Sequence, residues 1–389
     1  MIGLKLMVLS ATAHSDSNNT ETAAQEIAAK LNERLAGKMD ALIIFASSRH
    51  DHGRLLGTLQ KTCRPKVMAG SSSAGEFTAH AYNEGAVSAV ALHAPEMRFN
   101  VALARGLREK RATAARQMVD SFAGMRSHEF LHRSALVLTD ALAGHADDFV
   151  EQLTLLTAGT YQLFGGGAGD DANFTRTHVF CGTEVIPDAA VALEILSQKP
   201  IGVGVHHSWK PATPPMRVTE ADGMRLVSVN NMPTLELFEE YAQRTKQTFR
   251  AGDPIPFFLH NVIGIKDPGG YKLRVPLGVN KDGSIQCAAD VPVGCTIHIM
   301  SPGAGSTLAA TSSAIESLKG HKPALALFFD CVATRLRLGK EFGFELDALR
   351  SVLGQVNFAG CNTYGQIART EGQFSGFHNC TAIVALIPE

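Results

Sequence analysis

One order of elements recurs three times along this chain: an apolar run, a helical stretch, a second apolar run ending in glycine, and a further apolar run. Such repetition constrains the fold more than any single motif, because each copy is one supersecondary unit that must bury its faces against its neighbours. The first copy has apolar residues 40–45, an amphipathic stretch at 53–62, and a run at 66–69 leading into Gly70-Ser71-Ser72-Ser73-Ala74-Gly75-Glu76, followed by 86–92. The second has 134–139, a helical pattern at 146–158, then 161–164 with Gly165-Gly166-Gly167-Ala168-Gly169-Asp170-Asp171, and 190–196. The third has 324–329, a helical pattern at 333–353, 355–359 with Gly360-Cys361-Asn362-Thr363-Tyr364-Gly365-Gln366-Ile367, and 381–387.

Short, continuously apolar runs read as strands buried on both faces. A helix between two of them is the usual crossover joining parallel neighbours. The expected fold is therefore α/β: two lobes built from repeated strand–helix–strand–Gly turn–strand units, with mixed sheets flanked by helices. Any one glycine in these turns answers a local need for positive φ or close backbone approach. All three turns, however, fall at the same point of the unit, where ligands usually sit in such sheets, so together they are expected to line a site.

Pro211, Pro214 and Pro215, and then Pro254 and Pro256, interrupt regular structure and suggest a division into 1–215 and 216–389. Between the proline groups, residues 234–249 read as one helix with Thr234 at its cap. Residues 274–302 alternate apolar and polar positions with turn signals, the pattern of antiparallel strands.

Charge and cysteine content narrow the partners. Lys+Arg (36) and Asp+Glu (37) nearly cancel, which offers no general attraction to nucleic acid or anionic lipid. No run approaches the roughly 20 apolar residues of a membrane-spanning helix. The seven cysteines are odd in number and lack any CxxC spacing, which argues for a reducing, cytoplasmic setting without disulfides or a zinc knuckle. Residues 5–13 loosely imitate a signal peptide, but the short apolar run reads better as a strand entering a helix cap.

The turns carry a resemblance. Gly70 to Glu76 and Gly166 to Asp170 resemble the two N-terminal glycine turns of the FIST family. Cys331, Arg335, Leu338-Gly339, Glu345, Tyr364-Gly365-Gln366-Ile367 and His378-Asn379-Cys380-Thr381 resemble its C-terminal motifs, in order. Gln366 stands where the family usually has Glu, which puts in doubt any role needing a carboxylate there. The resemblance covers nearly the whole chain, a FIST N-terminal domain followed by a linker helix and a FIST C-terminal domain. It implies a stand-alone, non-enzymatic sensor of a small molecule that regulates a separate histidine kinase or cyclic-nucleotide signalling enzyme, and it leaves a homodimer open. Stand-alone relatives include haem proteins responding to nitric oxide, which implies haem b here; an amino-acid-like ligand without haem is the alternative.

Candidate ligand-binding residues are Gly70, Ser71, Ser72, Ser73, Glu76, Gly166, Asp170, Arg335, Tyr364, Gln366 and Asn379. Backbone N–H groups and hydroxyls in these turns can cradle a carboxylate or phosphate, and Arg335 can bind it bidentately, unless it is spent on an ion pair with Glu345 or another acid. For haem, His260 lies in the apolar run 257–263 and is the leading axial candidate, with His14, His206, His207 and His378 as others. No CxxCH motif is present for covalent attachment. His128-Glu129-Phe130-Leu131-His132 matches HExxH and would make a zinc hydrolase if it were helical, but the strand expected at 134–139 leaves it little room. His50-Asp51-His52 and His206-His207 read as solvent-facing turns. The glycine turns match neither GxSxG, nor a P-loop, nor GxGxxG.

Overall fold

The computed structural model describes residues 8–369 and 375–389. Three six-stranded mixed sheets surround one apolar core, and each has the same strand order. The first unit comprises β1 (Leu9–Ser15), α1 (Thr20–Leu35), β2 (Ala41–Ser47), α2 (His52–Cys63), β3 (Val67–Ser73), the hairpin β4 (Glu76–Thr78) and β5 (Tyr82–Asn83), and β6 (Val87–His93). The second repeats it with β7 (Arg98–Arg105), α3 (Leu107–Asp120), β8 (His132–Thr139), α4 (Ala146–Leu156), β9 (Gln162–Gly167), the hairpin β10 (Val179–Cys181) and β11 (Glu184–Ile186), and β12 (Ala189–Ser197).

The third unit is split. Its first strand, β13 (Gly202–His206), is separated from the rest by an insert holding nine strands, β14 to β22, between residues 210 and 301, with α5 (Thr234–Thr245) and α6 (Ile255–Phe258). The unit resumes with α7 (Ser306–Ser317), β23 (Pro323–Cys331), α8 (Val332–Leu338), α9 (Gly343–Leu353), β24 (Phe358–Thr363), the hairpin β25 (Gln366–Arg369) and β26 (Ser375–His378), and β27 (Ala382–Pro388). Gly202 and Gly204 let α7 lie directly on β13: a Cβ at Gly204 would stand 1.8 Å from the Ala310 carbonyl oxygen. The unit thus closes across its own insert.

In every unit the two strands flanking the crossover helix are parallel (β2 with β3, β8 with β9, β23 with β24). Alternate residues of β2 show why these strands are apolar throughout. Ile43 and Phe45 enter the central core, where Phe45 meets Phe329 edge to face at 5.7 Å, while Leu42 and Ile44 pack in the layer that includes Ile27 and Leu31 of α1 and Leu55 and Leu59 of α2.

Each unit gives its hairpin to another unit's sheet. β4 pairs with β24, β10 with β3, and β25 with β9. These exchanges close a ring of three around the core, with the insert outside it. The 215/216 division falls inside the insert, whereas Gly202–His206 belongs to the sheet of the last unit.

Two local expectations are corrected. Thr234 is the first residue of α5 rather than its cap, and its buried hydroxyl has no partner. The helix expected at 333–353 breaks around Gly339, where a short 3-10 turn separates α8 from α9. Residues 128–131 are irregular and His132 opens β8, so the HExxH residues never share a helical face; Glu129 instead pairs with Arg98.

Candidate functional site

The three glycine turns meet at the carboxyl ends of the parallel strands. Their backbones bond in a closed cycle. The second turn donates to the first (Gly169 N to Ser72 O, 3.0 Å; Asp171 N to Ser73 O, 3.1 Å). Second and third exchange Gly167 N to Gly365 O (2.8 Å) and Tyr364 N to Gly167 O (3.0 Å). First and third exchange Ala74 N to Asn362 O (3.0 Å) and Asn362 N to Gly75 O (2.9 Å). The convergence expected from the repeat is present, with buried backbone amides committed to the cycle itself.

Many of the expected ligand residues serve this frame. Gly70 is a strand residue, where a Cβ would stand 2.1 Å from the Ile44 carbonyl oxygen. Gly166 lies against Thr363 and the Gly365 carbonyl. The Ser72 hydroxyl accepts from His178 N (3.0 Å) on the incoming hairpin. Asp170 accepts from Phe174 N, Thr175 N, Arg176 N and the Tyr364 hydroxyl; burial pushes its carboxyl up, but these donors hold it below its ordinary value. Tyr364 also stacks on Phe174, with centroids 4.4 Å apart. Asn379 accepts from Val275 N (3.4 Å) and so ties the insert to the last hairpin. Ser71 is fully buried with its hydroxyl unpartnered.

Ser73 and Glu76 of the first turn have the same relation as Thr363 and Gln366 of the third. Ser73 Oγ and Glu76 Oε1 are 2.5 Å apart, and Glu76 Oε2 accepts from Ala86 N (3.0 Å). Gln366 Nε2 donates to Thr363 Oγ1 (2.9 Å), and its Oε1 accepts from Thr381 N (3.3 Å). Complete burial pushes the Glu76 carboxyl up to about 8, so at neutral pH it is a protonated acid, nearly isosteric with the Gln366 amide. The place of Gln366 thus needs a neutral donor–acceptor, not a carboxylate.

The units differ one step earlier in the strands. Asp330 of β23 stands beside Asn362 of β24; the corresponding pairs are Ala46 with Ser72 and Leu138 with Gly166. The fold therefore tolerates small or apolar residues here, and only the third unit buries an acid and an amide. Both Asn362 amide atoms, Asp330 Oδ2 and Arg335 Nε are buried without a hydrogen-bond partner. Asn362 and Arg335 converge beside Gly75: a Cβ there would be 2.6 Å from Asn362 Oδ1 and 3.3 Å from Arg335 Cδ. Burial, reinforced by Glu345, pushes the Asp330 carboxyl well above its ordinary value, while its Oδ1 accepts from Cys331 N (2.6 Å). Leaving several such groups unpaired costs about 1–3 kcal/mol each, a cost that a polar ligand can remove.

Arg335 is the one sequence-derived candidate in this cluster. It pairs with Glu84 rather than Glu345, which accepts from Thr307 instead. The Arg335 side chain is 4% exposed and Glu84 58%, so Glu84 stands at the solvent side of the guanidinium. Asp330, Asn362 and Glu84 were missed because their partnership depends on strand register and on a hairpin lent by the first unit. Cys331, between Asp330 and α8, hydrogen-bonds Cys380, which brings its thiol down to about 6.

His260 is the leading axial candidate for haem. It is exposed beyond α6, whereas an axial ligand needs an apolar pocket over it. His378 is buried, which pushes its imidazole down to about 3. His50 and His52, expected at the surface, are buried, with His52 Nε2 at 2.9 Å from the Ser47 carbonyl oxygen. Among the described residues no group of three or more His, Cys, Asp or Glu is placed to hold a metal ion. Nor, among them, is any helix long and apolar enough to cross a membrane.

Two known family domains match the chain. The FIST N domain matches residues 40–232 and the FIST C domain residues 235–369. The chain belongs to the FIST family. FIST domains are sensor domains associated with small-ligand sensing in signalling, not a catalytic family. No curated protein matches the chain. Among solved structures, cyanuric acid hydrolase from A. caulinodans aligns over 98% of this chain and 100% of its own, at 7% identity and a TM-score of 0.39.

Proposed function

We propose that this FIST protein senses a small amino-acid-like molecule taken into the third unit at Arg335, Asn362 and Asp330. The observation that carries the reading is the buried Asp330–Asn362 pair, present in only one of three equivalent positions, with Asp330 Oδ2 and both Asn362 amide atoms unpartnered. Arg335 takes the ligand carboxylate, in competition with Glu84; Asn362 Oδ1 accepts from the amino group, its Nδ2 donates to a ligand oxygen, and Asp330 Oδ2 is the further polar atom left for the ligand. Exchange of Glu84 for ligand on one guanidinium gives two states of the hairpin β4–β5. A separate signalling partner preferring one of them would read ligand occupancy, since a ligand shifts an equilibrium only through differential affinity.

The test is thermal unfolding of the purified protein against a panel of free amino acids. One or a few should raise the melting temperature in a saturable way, because a ligand confined to the native state stabilises it. Glu84→Gln should tighten that ligand by roughly 3- to 10-fold by weakening the competitor, and Arg335→Gln should weaken it. A panel without any shift, or shifts indifferent to both substitutions, would overturn the assignment. The geometry around His260 gives haem no comparable support.

A further inference from the structure

At the other end of the sheets from the turn ring, a groove of about 350 Å³ lies between the second and third units. It is lined by His132 and Arg133 at the start of β8, Gln162 at the start of β9, Lys319 after α7 and Arg369 at the end of β25, with Ile201 among its apolar walls. Among the described residues of the lining there is no Asp or Glu. Among the described residues Arg133, Lys319 and Arg369 have no ion-pair partner. Arg369 donates from one nitrogen to the carbonyls of Gly159 (3.1 Å) and Tyr161 (3.4 Å), which fixes its guanidinium beside the groove. Arg133 donates to the Ser127 carbonyl (3.2 Å).

The internal repeat shows that this charge is not a requirement of the fold. The matched strand ends Ser47, Thr139 and Cys331 place Asp40, His132 and Ala324 at one equivalent position. In the first unit Asp40 neutralises its surroundings, pairing with Lys66 (2.8 Å) and His93 (2.9 Å) and accepting from Ala94 N (2.8 Å). The second unit has His132 there, beside Arg133, and no described residue of the lining is an acid. Cations brought together from three separate segments repel unless an anion joins them. Burial, and after it Lys319 and His321, push the His132 imidazole down.

We propose that this groove is a second ligand site, separate from the turn ring, that binds a small phosphomonoester. A dianionic phosphate matches several fixed cations better than one carboxylate does, and the volume, near the lower end of small-molecule sites, leaves room for a compact organic body against Ile201. Arg133 and Arg369 supply planar forks, Lys319 a mobile point charge, and Gln162 a neutral amide.

The experiment is isothermal titration calorimetry of the full chain with glycerol 2-phosphate in chloride buffer, with citrate as a non-phosphate polyanion. Saturable one-to-one binding is expected, with citrate weaker. Lys319→Gln combined with His132→Gln should lower the affinity at least tenfold, and Lys319→Glu alone should act in the same direction; Lys319 is exposed and its replacement leaves the core untouched. Lys246→Gln, at an exposed lysine of the insert, should change nothing. Absence of saturable heat at millimolar ligand, equal binding of citrate, or insensitivity to the Lys319 changes would each overturn the proposal. Asn362→Leu should leave phosphate binding intact, which separates this site from the amino-acid reading.

Discussion

The first and third turns build one geometry from different chemistry. In the first, Ser73 and the protonated Glu76 close the turn; in the third, Thr363 and Gln366 make the matching pair of contacts, with Ala86 N and Thr381 N as corresponding donors. Their neighbours one residue upstream diverge, for Ser72 stands beside Ala46 whereas Asn362 stands beside Asp330. Scaffold and binding roles are therefore separable in this molecule. What is repeated holds the ring, and what departs from the repeat marks the candidate site.

The scaffold half of that comparison breaks most severely at the turn glycines. Gly75 has φ of +141° and Gly365 +102°, so a side chain is strained at either. Their surroundings differ: a Cβ at Gly365 would lie 2.0 Å from Phe377 Cζ with two further ring carbons within 2.8 Å, whereas at Gly75 it would meet the end of Asn362 at 2.6 Å. Gly365→Ala should cost about 3 kcal/mol or more, and Gly75→Ala about half as much. Urea unfolding of both variants decides it, and equal losses would mean that the two turns are not packed as described.

The next effect concerns protonation. Between the ordinary carboxylate range and about pH 8 the unfolded chain has lost the proton that folded Glu76 keeps, so its contribution to stability is full at low pH and declines as pH rises through that window. Glu76→Gln should remove this slope, and Gln366→Glu should add a second one of the same sign. Relative to wild type, denaturation midpoints at pH 5.5 and 8.5 should diverge by on the order of 2 kcal/mol, in opposite directions for the two variants. Parallel pH profiles for all three proteins would show that the two positions are not equivalent.

How much of this was visible in the sequence depended on range. The runs at 40–45, 134–139 and 324–329 were legible as buried strands because both faces are covered and polar residues stand only at their ends. The convergence of three turns was legible from their common place in the unit. The hairpin exchange was not: β5 and β10 are two and three residues long, too short for periodicity, and β4 meets β24 nearly the whole chain away. The third unit was hard to delimit because β13 and α7 are separated by the insert, so the prolines at 211–215 read as a boundary. Gly70 and Gly166 read as turn residues, yet both lie in strands, where their want of a side chain permits close packing. His260 lay within an apolar run, but it comes just after the short helix α6, and the apolar neighbours Phe257 and Phe258 turn into the insert's own core. Asn362 stood inside a recognised turn and went unnoticed because its significance lies in what it fails to bond.

The smallest expected effect tests the binding half of the comparison, and its sign is informative. Asn362 is fully buried with four unmet bonding positions on two atoms, so replacement by a similarly sized apolar residue removes an uncompensated polar group. Asn362→Leu should therefore raise stability by about 1 kcal/mol in the absence of ligand while abolishing the amino-acid-induced shift in melting temperature. Ser72→Ala, at the matching place in the first unit, should lower stability by a similar amount, because His178 N loses its acceptor. Opposite signs at equivalent positions are what a binding residue placed in one copy of a repeated scaffold requires. If Asn362→Leu instead destabilises as Ser72→Ala does, the amide is a structural member of the ring and the ligand must be sought elsewhere.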